Sequence, residues 1–194
     1  VRDAHSNAVK RVVEYIQDNM CYTRTSQSGK IALEKVNNLL AVKFTHHTNR
    51  NHDPQLHDHI LITNISVDKN GKIKTAEHST IFENERFIRE LYNNELAHNL
   101  QILGYGIEWN KKVTQISPEI KNIPEQLIKM FSSRRQEIEK LAIDRDVDLS
   151  DQVAMQNITL ETRKVKDNSI DLDKLSILWK EKASELNINI EQIK

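Results

Sequence analysis

Apolar residues recur at helical spacing near the start of the chain, where Ala8, Val9, Val12, Val13, Ile16 and Met20 share one side with charged residues between them. The spacing predicts an amphipathic helix over residues 4–20. Thr23 to Gly29 is polar and ends in glycine, which reads as a connection. The period then changes to two. In Leu39 to Thr48, Leu40, Val42, Phe44 and His46 share parity and so lie on one face of a strand. Asn49 to Gln55 (NRNHDPQ) is turn chemistry, punctuated by Asp53-Pro54. A second strand follows, with His57, His59, Leu61 and Thr63 on one face and Leu56, Ile60, Ile62 and Ile65 supplying much of the other before the parity drifts, ending near Val67. Asn70-Gly71 is a hairpin signal that turns this strand back into Lys72 to Thr75, so the sheet is expected to be at least partly antiparallel.

Helical spacing returns from Glu83 to Leu103 through Phe87, Leu91, Leu96, Leu100 and Leu103, with Gly104 placed as a C-terminal cap. Tyr105 to Ile116 suggests a short strand pair. Pro124 then opens a helix holding Leu127, Ile128 and Phe131, and Ser132-Ser133 starts another that runs to about Ala142. A polar break over 144–151 precedes an apolar-patterned stretch from Ile158 to Lys166 and a last helix near Leu172 to Leu186. The expected fold is α+β: an antiparallel sheet domain over residues 1–131 with covering helices, then a helical extension over 132–194.

Composition narrows the class. The chain has 194 residues, with 28 basic and 28 acidic side chains and 38% hydrophobic residues, which excludes simple disorder over most of its length. No apolar run reaches the roughly 20 residues that a membrane-spanning helix needs, and no signal-peptide pattern opens the chain. A soluble, cytoplasmic protein is expected, and the single cysteine, Cys21, fits a reducing compartment. Val1 falls inside a helical pattern, so a preceding N-terminal part is expected. Net charge is zero, whereas nucleic-acid binders usually carry a basic surplus; Arg24, Lys30, Arg134, Arg135, Arg163, Lys164 and Lys166 are the candidates for a basic stripe.

Five of the eight histidines, His46, His47, His52, His57 and His59, fall within residues 46–59. Two histidines one residue apart on a strand project from the same face, so His57 and His59 meet the first condition for a shared ligand. His46 supplies a third nitrogen if its strand pairs with theirs across the turn, giving H-x10-H-x-H. Three imidazoles leave coordination positions open, as a catalytic metal requires. His47 points to the opposite face and His52 lies in the turn, both suited to solvated or outer roles, while His5, His78 and His98 read as surface residues.

Phe44 to Asn64 (FTHHTNRNHDPQLHDHILITN) resembles the metal-site motif of TrwC/TraI-type (MobF) conjugative relaxases, members of the HUH endonucleases. That motif reads F-x-H-x-T-S-R-x-x-D-P-x-L-H-x-H, then apolar residues and Asn. Phe44, His46, Thr48, Arg50, Asp53, Pro54, Leu56, His57, His59 and Asn64 match it without a gap. Later blocks are echoed at Leu91-Tyr92, Glu95-Leu96-Ala97, Leu103-Gly104-Tyr105, Phe131-Ser132, Arg134-Arg135, Glu137-Ile138, Leu160, Thr162-Arg163 and Trp179, so the resemblance spans nearly the whole chain.

The resemblance implies a palm-like, ferredoxin-related sheet and a DNA strand transferase that nicks single-stranded DNA at the transfer origin of a mobile element. It implies His46, His57 and His59 as ligands of a divalent metal ion (Mg, Mn or Zn), with conjugation-machinery proteins as possible partners. Arg50 takes either a phosphate contact or a turn-shaping role, and Asp53 a turn or outer-shell role. The family's nucleophilic tyrosine and a catalytic aspartate are expected upstream of the matched region; Tyr15, Tyr22, Tyr92 and Tyr105 correspond to none of those positions, so this chain holds no catalytic nucleophile. Asn49 stands where the family usually has Ser, and Asp58 where it commonly has Thr, directed away from the metal. Two other classes fit the histidines: a three-histidine metallohydrolase acting on something other than nucleic acid, and an inactive relaxase remnant.

Overall fold

The first helix, α1 (Arg2–Asn19), buries Ala4, Ala8, Val9, Val12 and Ile16, the stripe that the spacing predicts. The computed structural model describes residues 1–27, 29–112, 115–165 and 171–188, and Lys166 of the candidate basic stripe lies outside them. The chain divides into two compact units: Val1–Phe44 with Asp58–Lys121, and Thr45–His57 with the stretch from Asn122 onward.

In the first unit, β1 (Tyr22–Gln27) and β2 (Lys30–Lys35) pair antiparallel in register from Tyr22↔Lys35 to Gln27↔Lys30. The segment read as a connection is therefore a strand. Its polarity hid it: Thr23 is fully buried, and its hydroxyl donates to the Thr75 carbonyl at 3.0 Å, so a polar side chain occupies the covered face. The histidine-bearing ribbon is β3 (Ala41–Thr48) and β4 (Pro54–Ile62), which pair as a two-stranded sheet. The second strand breaks after Ile62, where the sequence pattern continues to Val67; β5 (Ile65–Val67) joins β6 (Ile73–Glu77) in the other sheet, ordered β2-β1-β6-β5. The turn between β5 and β6 is the expected hairpin. Gly71 adopts φ +75°, and Asp68 Oδ1 accepts from the Asn70 and Lys72 amides at 2.9 Å each.

A short α2 (Ser79–Glu83) precedes α3 (Glu85–Ile102), which ends at Gly104 with φ +90° as the capping pattern predicts. Then β7 (Ile107–Lys112) and β8 (Gln115–Ile120) form an antiparallel pair, which Asn93 of α3 engages by donating to the Ile116 carbonyl at 2.8 Å. The unit's main apolar cluster is Val12, Ile16, Met20, Cys21 and Val36, with Leu91 and Tyr92 of α3 packed against it. His5, expected at the surface, is 6% exposed instead, because its Nδ1 lies 2.8 Å from the Tyr92 hydroxyl.

The second unit's helices are α4 (Glu125–Met130), α5 (Ser133–Asp144), α6 (Gln152–Glu161) and α7 (Leu172–Glu185). Asp151 caps α6 by accepting from the Val153 and Ala154 amides, which starts this helix earlier than its apolar residues suggest. Ile138 and Ala142 of α5 pack on Met155 and Ile158 of α6. No helix among the described residues is long and apolar enough to cross a membrane. Truncation of Ile16 to alanine deletes buried methylenes from the larger cluster and is expected to cost about 2–4 kcal/mol, read as a lower urea midpoint at unchanged slope.

Candidate metal centre

His46 on β3 and His57 on β4 both belong to the second unit, and their rings stack with centroids 5.3 Å apart and planes 30° from parallel. Paired strands bring facing side chains into this range. The His57 Nδ1 lies 3.0 Å from the Gln55 carbonyl oxygen. A carbonyl only accepts, so Nδ1 carries a hydrogen, which in the neutral ring leaves the lone pair on Nε2. Metal-binding histidines are commonly fixed in this tautomer by a backbone carbonyl. His59 is exposed and lies on the first unit's part of β4. Among the described residues, no group of three or more His, Cys, Asp or Glu side chains is gathered into a metal-holding set. The pair that the structure brings together is His46 and His57.

The turn between the two strands is built from side-chain acceptors. Asn49 Oδ1 accepts from the Asn51 and Asp53 amides at 2.8 and 3.0 Å, and His52 takes the left-handed conformation at φ 61°. The Asn49 amide nitrogen also donates to Asp53 at 2.9 Å. Asp53, 4% exposed, accepts from the Ser133 hydroxyl at 2.7 Å and faces the Arg134 amide at 3.4 Å. Its charge thus meets the positive N-terminal end of α5.

Further bonds tie the same turn to the helices. Arg50 donates to the Lys164 carbonyl at 2.6 Å, Asn51 to Glu137 at 3.0 Å, and the Trp179 indole of α7 to the His52 carbonyl at 2.8 Å. Arg134 donates to the carbonyls of Thr162 at 2.7 Å and Thr159 at 2.8 Å. Ser133 and Trp179 carry no chemistry that isolated sequence spacing would single out. The blocks around Phe131 and at Trp179 in the relaxase resemblance were the available signal. The candidate basic stripe is largely spent internally: Arg24 bonds Glu77, Arg135 bonds Glu139, and Arg134 and Lys164 both bond Glu137.

The TrwC relaxase sequence profile matches residues 1–186. The chain belongs to the TrwC relaxase family. Multifunctional conjugation proteins TraI from Escherichia coli and from its K12 strain are 29% and 28% identical over 198 residues, covering 97% of this chain and 10% of theirs. The metal-bound structure of the conjugative relaxase TrwC with oriT DNA is 32% identical at a TM-score of 0.86, covering 97% of this chain and 64% of that one. A copper-bound TrwC complex with oriT DNA matches at 0.86 and 32% identity, over 96% and 63% of the two chains. The chain therefore spans about a tenth of the length of the curated relatives it matches. Within the TrwC relaxase family, the α+β architecture with antiparallel pairing expected from the sequence is the one found.

The Lys164 ammonium, then Asn51 and Arg134, hold the Glu137 carboxyl below the ordinary glutamate range. A lowered folded-state value contributes stability above the unfolded value that is lost as pH falls through the folded one. Thermal unfolding followed by tryptophan fluorescence is expected to show that contribution near neutrality and its loss below about pH 4. In Glu137→Gln the acid-sensitive part is smaller.

Proposed function

We propose that this chain is the metal-site portion of a conjugative relaxase, which nicks one DNA strand at the transfer origin of a mobile element. The observation that carries it is the His46–His57 pair, with His57 Nδ1 held on the Gln55 carbonyl, inside a gapless match to the relaxase metal motif. The donor set suits a divalent cation: His46 and His57 would hold it, with His59 as the third nitrogen. Such a cation would draw charge from a non-bridging oxygen of the scissile phosphate as that charge builds. Magnesium, manganese and zinc are the candidates, and imidazole ligands alone do not choose among them.

In the reaction, a tyrosine hydroxyl gives up its proton as its oxygen attacks phosphorus and forms a phosphotyrosyl bond, while the bond to the 3′-oxygen breaks and that oxygen takes up a proton. The attacking tyrosine is none of the four in this chain. Burial and then the Asp58 charge push the Tyr92 phenol up, which keeps it protonated. The chain's own residues hold the histidines in place. Arg50 and Asp53 act in this proposal as turn-shaping groups, supported by their bonds to Lys164 and Ser133. Single-stranded DNA is the substrate, conjugation proteins are the partners, and the cytoplasm is the location. The family match favours DNA chemistry over a hydrolase of another substrate class.

Calorimetric titration with Mn²⁺ and Zn²⁺ tests the assignment. Saturable one-to-one binding in the parent and none in a folded His46→Ala/His57→Ala variant is expected. Equal binding by both, or none by the folded parent, contradicts it.

A further inference from the structure

We propose that Asp58 is a positioning residue, which anchors the stretch of β4 between His57 and His59 through a polar cluster with His5, Lys43 and Tyr92. All four residues belong to the first unit and come from four elements: α1, β3, β4 and α3. The Asp58 side chain is only 2% exposed. His5 Nε2 and Lys43 Nζ each lie 3.4 Å from Asp58 Oδ2. His5 Nδ1 lies 2.8 Å from the Tyr92 hydroxyl, with the two rings edge to face at 5.8 Å and 81°. Lys43 also reaches the Ser6 hydroxyl at 3.3 Å, which ties the same charge to α1.

The chemistry orders this cluster. A carboxylate leaves water only where opposite charge or hydrogen bonds compensate it. A carboxylate only accepts, so a neutral His5 ring that keeps its hydrogen on Nε2, the nitrogen facing Asp58, leaves Nδ1 to accept from the Tyr92 hydroxyl. Strand alternation puts Asp58 on the opposite side of β4 from His57 and His59. Holding one face of the strand thus fixes the direction in which the other projects.

The inference rests on the proposal that His57 and His59 are metal ligands, and its test separates the two. Backbone amide hydrogen exchange is measured by NMR on the metal-free chain, followed by Mn²⁺ titration of the same samples, for the parent, Tyr92→Phe, His5→Gln and Asp58→Asn. Tyr92→Phe removes a single oxygen and is the variant best suited to keep the fold. Exchange is expected to quicken several-fold at the amides of 58–61 relative to those of α1 and α3, with Mn²⁺ affinity about 10–100-fold weaker. Uniform quickening across α1, α3 and β4, or unchanged Mn²⁺ affinity in folded variants, overturns the positioning role. Local quickening in a chain whose parent binds no Mn²⁺ supports the anchor and sinks the metal assignment.

Discussion

The buried carboxylate of Asp53 is the contact on which the histidine hairpin depends. A turn that begins with Asn49 and passes through a left-handed His52 has little reason to hold one shape in water. Asp53 gives it one by accepting from Asn49 within the turn and from Ser133 at the head of α5. Removing the acceptor would leave the Ser133 hydroxyl and the Asn49 amide to find other partners, and it would leave the α5 N-terminus without its anion. The stacking of His46 and His57 follows from that constraint, because both rings sit on the strands that the turn joins.

Charge is used for internal binding throughout. The chain has equal numbers of acidic and basic residues, and most of its candidate DNA-contacting cations are committed to carboxylates or carbonyls inside their own unit. Asp53 and Asp58 are withdrawn from water for different ends: Asp53 organises a turn, and Asp58 meets a histidine and a lysine. Neither lies on the strand face that carries the histidines. The side chains that shape the site are thus set apart from those proposed to hold the cation, which keeps negative charge from competing for the ligands' geometry.

The elements legible in the sequence were those with regular apolar spacing or clear turn and cap signals: α1, α3 with its glycine cap, the β3–β4 pair, the β5–β6 hairpin, the β7–β8 pair, and α4, α5 and α7. What stayed hidden was polar. Strand β1 escaped because Thr23 is buried through a hydroxyl bond and offers no apolar parity. His5 looked like a surface residue because no local pattern announces a partner 87 positions away at Tyr92. The histidine pair was readable from spacing and from the motif it completes, whereas Ser133, Glu137 and Trp179 act through contacts that form only when the helices meet residues 49–53.

The most direct measurement is the two-dimensional ¹H–¹⁵N spectrum of the histidine ring nitrogens, recorded without and with one equivalent of Zn²⁺. The account predicts that His57 is already in the Nδ1–H tautomer in the metal-free chain, and that the Nε2 resonances of His46, His57 and His59 shift together on adding the ion. A His57 ring in the other tautomer, or Zn²⁺ shifts at other histidines with these three unmoved, would contradict it.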